Sequence, residues 1–124
     1  MEDAGGYVTT HVLDTARGHP AAGLQIDVYR LDDPEGSQRT HIASLTTNAD
    51  GRTDRPAIEK AHMSEGIYEL VFHAGAYLRH THGQLDGPSF LDAIPVRFSI
   101  ANPEQHYHVP LLLSPFGYTT YRGS

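Results

Sequence analysis

Cysteine is absent from this chain. Its absence excludes disulfides, thiolate nucleophiles and cysteine-based zinc centres, and it fits a reducing compartment. Positive charge is also scarce: 15 Asp and Glu stand against 9 Lys and Arg, for a net charge of −6. A chain of that balance lacks the basic face that nucleic acid requires. No apolar run approaches the ~20 residues of a membrane-spanning helix. The first residues, Met1 to Gly6, are acidic and glycine-rich, without the basic and apolar regions of a secretory signal. The expectation is a flexible segment over residues 1–6 and a cytoplasmic location. There is no phosphate-binding glycine loop, no Gly-x-Ser-x-Gly elbow and no His-Glu-x-x-His helix. Internal repeats, linkers and low-complexity stretches are missing too.

What the chain does have is β-forming sequence and histidine. Its 124 residues are 39% hydrophobic and 19% charged, a balance that suits one folded domain over 7–124. Tyr7 to Leu13 alternates, with Tyr7, Thr9, His11 and Leu13 on one face and Val8, Thr10 and Val12 on the other. Leu24 to Leu31 has the cleanest period of two, Leu24, Ile26 and Val28 facing the core. A weaker strand runs from about Thr40 to Thr47, and its poor alternation points to a bulge or a sheet edge. Further strands are expected over Gly66–His73, Ala93–Ile100, His106–Leu113 and Phe116–Tyr121. Ala74 to Thr81 has the composition of a two-turn helix, and Ala57 to Met63 reads equally as a short helix or a loop. Pro110 cannot donate to a ladder, so its amide side must lie at an edge or an irregularity. Many short strands with frequent turn signals predict an all-β fold, an antiparallel β-sandwich with one short helix.

Nine histidines in so small a chain call for a search for acid–base or metal chemistry. His80-Thr81-His82 lies in a Gly/Pro-rich stretch and reads as surface; a metal site there would need further ligands. The remaining candidates are His11, Arg52 after the Asn48-Ala49-Asp50-Gly51 turn, His108, and the closing Tyr121-Arg122-Gly123-Ser124. Imidazoles move protons near neutrality, and an arginine fork holds developing oxygen charge. Such a set suits hydrolysis of an already reactive carbonyl. The bland readings are a half-buried strand histidine and a solvated loop arginine.

Four separated stretches carry more. Thr10-His11-Val12-Leu13-Asp14-Thr15-Ala16-Arg17-Gly18, Thr47-Asn48-Ala49-Asp50-Gly51-Arg52, Tyr107-His108-Val109-Pro110-Leu111-Leu112-Leu113-Ser114-Pro115 and Tyr121-Arg122-Gly123-Ser124 together resemble the 5-hydroxyisourate hydrolases, the transthyretin-like proteins of purine breakdown. The resemblance runs from about Val8 to Ser124. It implies a sandwich of two four-stranded sheets and a homotetramer built as a dimer of dimers, with sites in the channel between dimers. It implies hydrolytic opening of 5-hydroxyisourate, the unstable oxidation product of urate, to 2-oxo-4-hydroxy-4-carboxy-5-ureidoimidazoline. No metal or organic cofactor is implied. By motif position it assigns catalysis to His11, Arg52, His108 and Ser124, and substrate binding to Tyr121, Arg122 and Gly123. His106 lies outside the constant part of the motif and is carried over only as a neighbour. Two other readings remain: a transthyretin-like carrier of a small aromatic anion, and a metal-binding protein using His80/His82 or His106/His108.

Overall fold

The computed structural model describes residues 5–33, 35–82 and 88–124. Eight strands run in the order β1 (Tyr7–Asp14), β2 (His19–Pro20), β3 (Gln25–Leu31), β4 (Arg39–Thr46), β5 (Gly66–His73), β6 (Ala93–Ile100), β7 (His106–Ser114) and β8 (Gly117–Thr120). Among the described residues there is one helix, α1 (Ala74–Thr81), which follows β5 directly, and one 3-10 turn at Lys60–His62. The strands form two four-stranded sheets, ordered β2-β1-β7-β8 and β4-β3-β5-β6. The two-residue β2 is an addition to the expected strands; its segment, Asp14 to Pro20, has the composition of a turn. The open choice over Ala57–Met63 resolves to the 3-10 turn. No helix among the described residues is long and apolar enough to cross a membrane.

Alternation builds the core. Val8, Thr10, Val12 and Asp14 of β1 are buried and their neighbours point outward. Tyr107, Val109, Leu111 and Leu113 do the same on β7. They meet Ile26, Val28, Tyr68, Leu70, Phe72 and Ile100 of the second sheet in one buried cluster. Each large side chain removed from water there contributes about 1.5–3 kcal/mol before the entropy of ordering is counted. The weakly patterned β4 is an edge strand, and its register against β3 shifts between Val28 and Tyr29.

One pairing departs from the expected antiparallel arrangement. β1 and β7 run parallel, with Thr9 opposite His108 and Tyr7 opposite His106. Only a tight hairpin forces antiparallel pairing. Between β1 and β7 the chain passes through the whole second sheet, so nothing fixes that direction, and the parallel ladder aligns the outward residues of the two strands.

α1 is fastened to β1 by Asp14. Its carboxylate, fully buried, accepts from the Tyr77 hydroxyl (2.7 Å), His82 Nε2 (2.9 Å) and the Arg17 backbone N–H (3.0 Å). Burial alone would raise its pKa, but the bonds from His82, Tyr77 and Arg17 outweigh it and hold Asp14 below the ordinary carboxylate value. Burial and the Asp14 charge push the Tyr77 hydroxyl up to about 12. His82 is therefore turned inward onto a carboxylate, which corrects the surface reading; His80 is exposed. Expectations for Pro34, for residues 83–87 and for most of the 1–6 segment fall outside the described residues. Gly6 already donates its N–H to Pro103 O at 2.9 Å.

Candidate active site

The outward face of the β2-β1-β7-β8 sheet collects the predicted chemistry. Outward residues of β1 are Tyr7, Thr9, His11 and Leu13; those of β7 are His106, His108 and Leu112. The parallel register sets Thr9 beside His108, and the Thr9 hydroxyl lies 2.8 Å from His108 Nδ1 and 2.7 Å from His106 Nε2. The Tyr7 ring stacks on His106, with centroids 4.3 Å apart and planes 17° apart.

Arg52 arrives by a different route. Thr47, buried just before the turn, receives the Leu24 N–H (2.9 Å) and donates to Ala21 O (2.7 Å), which roots the turn in the core. Asn48 shapes the turn itself: its Oδ1 accepts from the N–H groups of Asp50 (2.9 Å) and Arg52 (3.2 Å). The turn then docks on β1. Val12 N–H donates to Gly51 O (2.8 Å), and His11 Nε2 reaches Asp50 O at 2.9 Å. A carbonyl only accepts, so His11 donates from Nε2, and its neutral form has Nδ1 as the acceptor. Gly51 has φ +76°, and a Cβ there would sit 2.3 Å from Val12 O. Only glycine permits this close, left-handed approach. The Arg52 side chain is exposed.

The C-terminal residues close the face along β7. β8 pairs with β7 from Ser114 to Leu111, and the ladder lapses at Pro110, which has no N–H to give. Thr120 Oγ1 donates to Pro110 O (2.7 Å) across the gap. The chain rejoins in the same register at His108 and Gly123, where Gly123 N–H donates to His108 O at 2.8 Å. Gly123 covers the imidazole so closely that a Cβ would lie 2.6 Å from His108 Cδ2. Ser124 follows, exposed, and Tyr121 is 54% exposed.

Arg122 goes elsewhere. Its guanidinium stacks over the Tyr107 ring at 4.3 Å from the centroid and donates to Gln105 Oε1 at 3.4 Å. Tyr107 is a core-facing residue, so Arg122 stands on the opposite side of the sheet from His108. It lines a cleft of about 380 Å³ with Arg97, Phe98, Tyr107 and Tyr121. A second cavity of about 410 Å³, beside α1 at His73, Tyr77 and His80, is lined by none of His11, Arg52 and His108. The site is placed by its chemistry, on an open sheet face, and not by either hollow.

The electrostatics single out His108. Burial, then Arg52, His106 and His11 in that order, all oppose its protonation and hold it below its ordinary 6.5. The structure thus brings His11, His108 and Gly123 to one face within the field of Arg52, leaves Ser124 exposed one residue beyond Gly123, and places Tyr121 and Arg122 at the cleft on the Tyr107 side. Sequence reasoning missed Thr9, and treated His106 as a bystander. The alternation put Thr9 on the right face, but only the parallel register shows what it touches. Among the described residues, no group of three or more His, Asp and Glu is arranged to hold a metal ion.

The profile of the HIUase/Transthyretin family matches residues 8–123. A 5-hydroxyisourate hydrolase 2 from Rhizobium meliloti is 58% identical over 96% of this chain and 97% of its own. The crystal structure of an (S)-allantoin synthase is 44% identical with a TM-score of 0.86; the match covers 98% of this chain but only 45% of that longer one. Sea bream transthyretin, solved in complex with thyroxine, is 31% identical with a TM-score of 0.80, covering 94% of this chain and 93% of that one. With a match over nearly its whole length, this chain belongs to the HIUase/Transthyretin family.

Proposed function

We propose that the chain hydrolyses 5-hydroxyisourate to 2-oxo-4-hydroxy-4-carboxy-5-ureidoimidazoline in urate degradation. The observation that carries this reading is His108 on one face with His11 and Arg52, its Nδ1 tied to the Thr9 hydroxyl and its protonation opposed by burial, then by Arg52, His106 and His11. A general base must be free to take a proton, and burial beside the Arg52 charge favours the neutral imidazole. His108 Nδ1 is engaged by Thr9, which leaves Nε2 to take the proton of a water. The water's oxygen attacks a ring carbonyl carbon. Arg52 stabilises the negative oxygen of the tetrahedral intermediate. As the ring C–N bond breaks, the His108 imidazolium returns its proton to the departing nitrogen. His11, fixed by the Asp50 carbonyl, presents Nδ1 to the substrate or the water, and the Ser124 hydroxyl assists. Gly123 walls the site against His108, whereas Tyr121 lines the cleft on the Tyr107 side. No metal or organic cofactor takes part. Arg122, stacked on Tyr107, anchors the terminal segment in the isolated chain.

The same reading makes the protein a cytoplasmic homotetramer, a dimer of dimers. An open sheet face is a poor place to exclude water, and a second copy laid across it would enclose the imidazoles. Exposed Tyr7 (39%), on this face beside His106, favours such burial. The carrier reading draws on the likeness to sea bream transthyretin, but a carrier has no use for a neutral imidazole beside an arginine. The discriminating experiment generates 5-hydroxyisourate from urate in the cuvette and follows its decay with and without protein. Accelerated decay supports the hydrolase; decay at the spontaneous rate refutes it.

A further inference from the structure

We propose that Thr9 and His106 serve His108 as a positioning pair, the Thr9 hydroxyl orienting the imidazole and relaying its proton to His106. The inference rests on the reading of His108 as general base. A hydroxyl has one proton, yet Thr9 Oγ1 meets two imidazole nitrogens, His106 Nε2 at 2.7 Å and His108 Nδ1 at 2.8 Å. It must donate to one and accept from the other. Donation to His106 leaves His108 with its proton on Nδ1 and a lone pair on Nε2, the tautomer a base requires. The order of the three groups is set by the parallel β1–β7 register; an antiparallel pair in this place would not align them this way.

The same chain of groups can carry charge. When His108 Nε2 has taken a proton from water, its Nδ1 proton passes to Thr9 Oγ1 while the Thr9 proton passes to His106 Nε2. Thr9 is unchanged, His108 is neutral with its proton on Nε2, and His106 holds the positive charge. Protonation of the departing nitrogen from His108 Nε2 runs the relay back, so protons balance over the cycle. His106 suits the role of reservoir: it is exposed to solvent, and the Tyr7 ring stacked 4.3 Å away fixes its plane. The charged and titratable groups bearing on His108 come from three elements: His11 on β1, His106 on β7 and Arg52 on the docked turn. All of them favour release of a proton from His108.

Three variants of the full-length protein test this. Thr9→Val keeps the strand-forming shape and removes the hydroxyl; kcat should fall about 10- to 100-fold with KM nearly unchanged. Thr9→Ser should restore most of the loss, which a packing defect at this site would not allow. His106→Phe keeps the stack on Tyr7 and removes both the relay's terminal acceptor and a group that opposes protonation of His108. It should lower kcat and move the acid limb of kcat/KM to higher pH. Wild-type kcat in Thr9→Val, or an unmoved acid limb in His106→Phe, overturns the relay. Either variant alone suffices if the other does not fold. His108→Asn, assayed in parallel, separates the two ideas. Inactive His108→Asn beside fully active Thr9→Val removes only the relay, whereas fully active His108→Asn removes the base on which it rests.

Discussion

Replacing Gly123 by alanine puts a methyl carbon 2.6 Å from His108 Cδ2 and 3.3 Å from Cγ. Carbon atoms in ordinary contact stand roughly 3.5–4.0 Å apart, so something must move by about 1 Å. Two movements are available. The imidazole can swing away, which breaks its 2.8 Å bond to Thr9. Otherwise the terminal segment lifts, which breaks the Gly123 N–H bond to His108 O and carries Ser124 with it. Either way a group proposed for catalysis leaves its position, and a displacement of about 1 Å costs on the order of 10²-fold in rate. That corresponds to about 2.7 kcal/mol of transition-state stabilisation. The loss should appear in kcat/KM for 5-hydroxyisourate, while the thermal midpoint changes little because no core residue is touched. Gly117→Ala is the matched control, since a Cβ there meets only Ser114 Oγ at 3.8 Å. It should retain activity. Gly123→Ala with kcat/KM within twofold of wild type would refute the proposed packing of the terminus on His108.

Other perturbations have equally definite outcomes. Because burial, Arg52, His106 and His11 depress the His108 pKa, the neutral base persists below its ordinary 6.5, and the acid limb of kcat/KM should lie on the acid side of that value. A limb above 6.5 would contradict the electrostatics. Tyr77→Phe removes a hydrogen bond to the buried Asp14 carboxylate and should cost about 1.5–3 kcal/mol in urea unfolding, with kcat preserved. Asp14 is depressed from 3.8 in the folded state. Its contribution is therefore complete above that pH and is lost as pH falls through the lower, folded value. Arg52→Lys keeps the charge but loses the planar fork, and should lower kcat about tenfold or more with an unchanged melting midpoint.

Much of the fold is legible in the amino-acid order because period-two alternation is strong where one face is buried. Leu24, Ile26 and Val28 declare their side at once, and so do Thr9 and His11 on the opposite side of β1 from Val8 and Val12. Pro110 announces a break in its ladder, and the gap between Leu111 and His108 lies there. What alternation cannot encode is which distant strands become neighbours and in which direction. The parallel β1–β7 pair, and with it the Thr9 bridge, is invisible in the sequence for that reason. His82 reads wrongly as surface because a polar, glycine-rich stretch gives no sign that a buried Asp14 lies within reach. Arg122 groups with its sequence neighbours on composition, yet alternation along the terminal segment sends it to the Tyr107 side while Gly123 meets His108.

The central claim is that His108 is the base of a cofactor-free hydrolysis. The most direct measurement is the decay of freshly generated 5-hydroxyisourate in the presence of metal-free wild-type protein and of His108→Asn, both without a tag after Ser124. The account predicts rapid decay with the wild type and a rate reduced by about 10²- to 10⁴-fold in the folded variant. Equal acceleration by the two proteins, or none by the wild type, would contradict it.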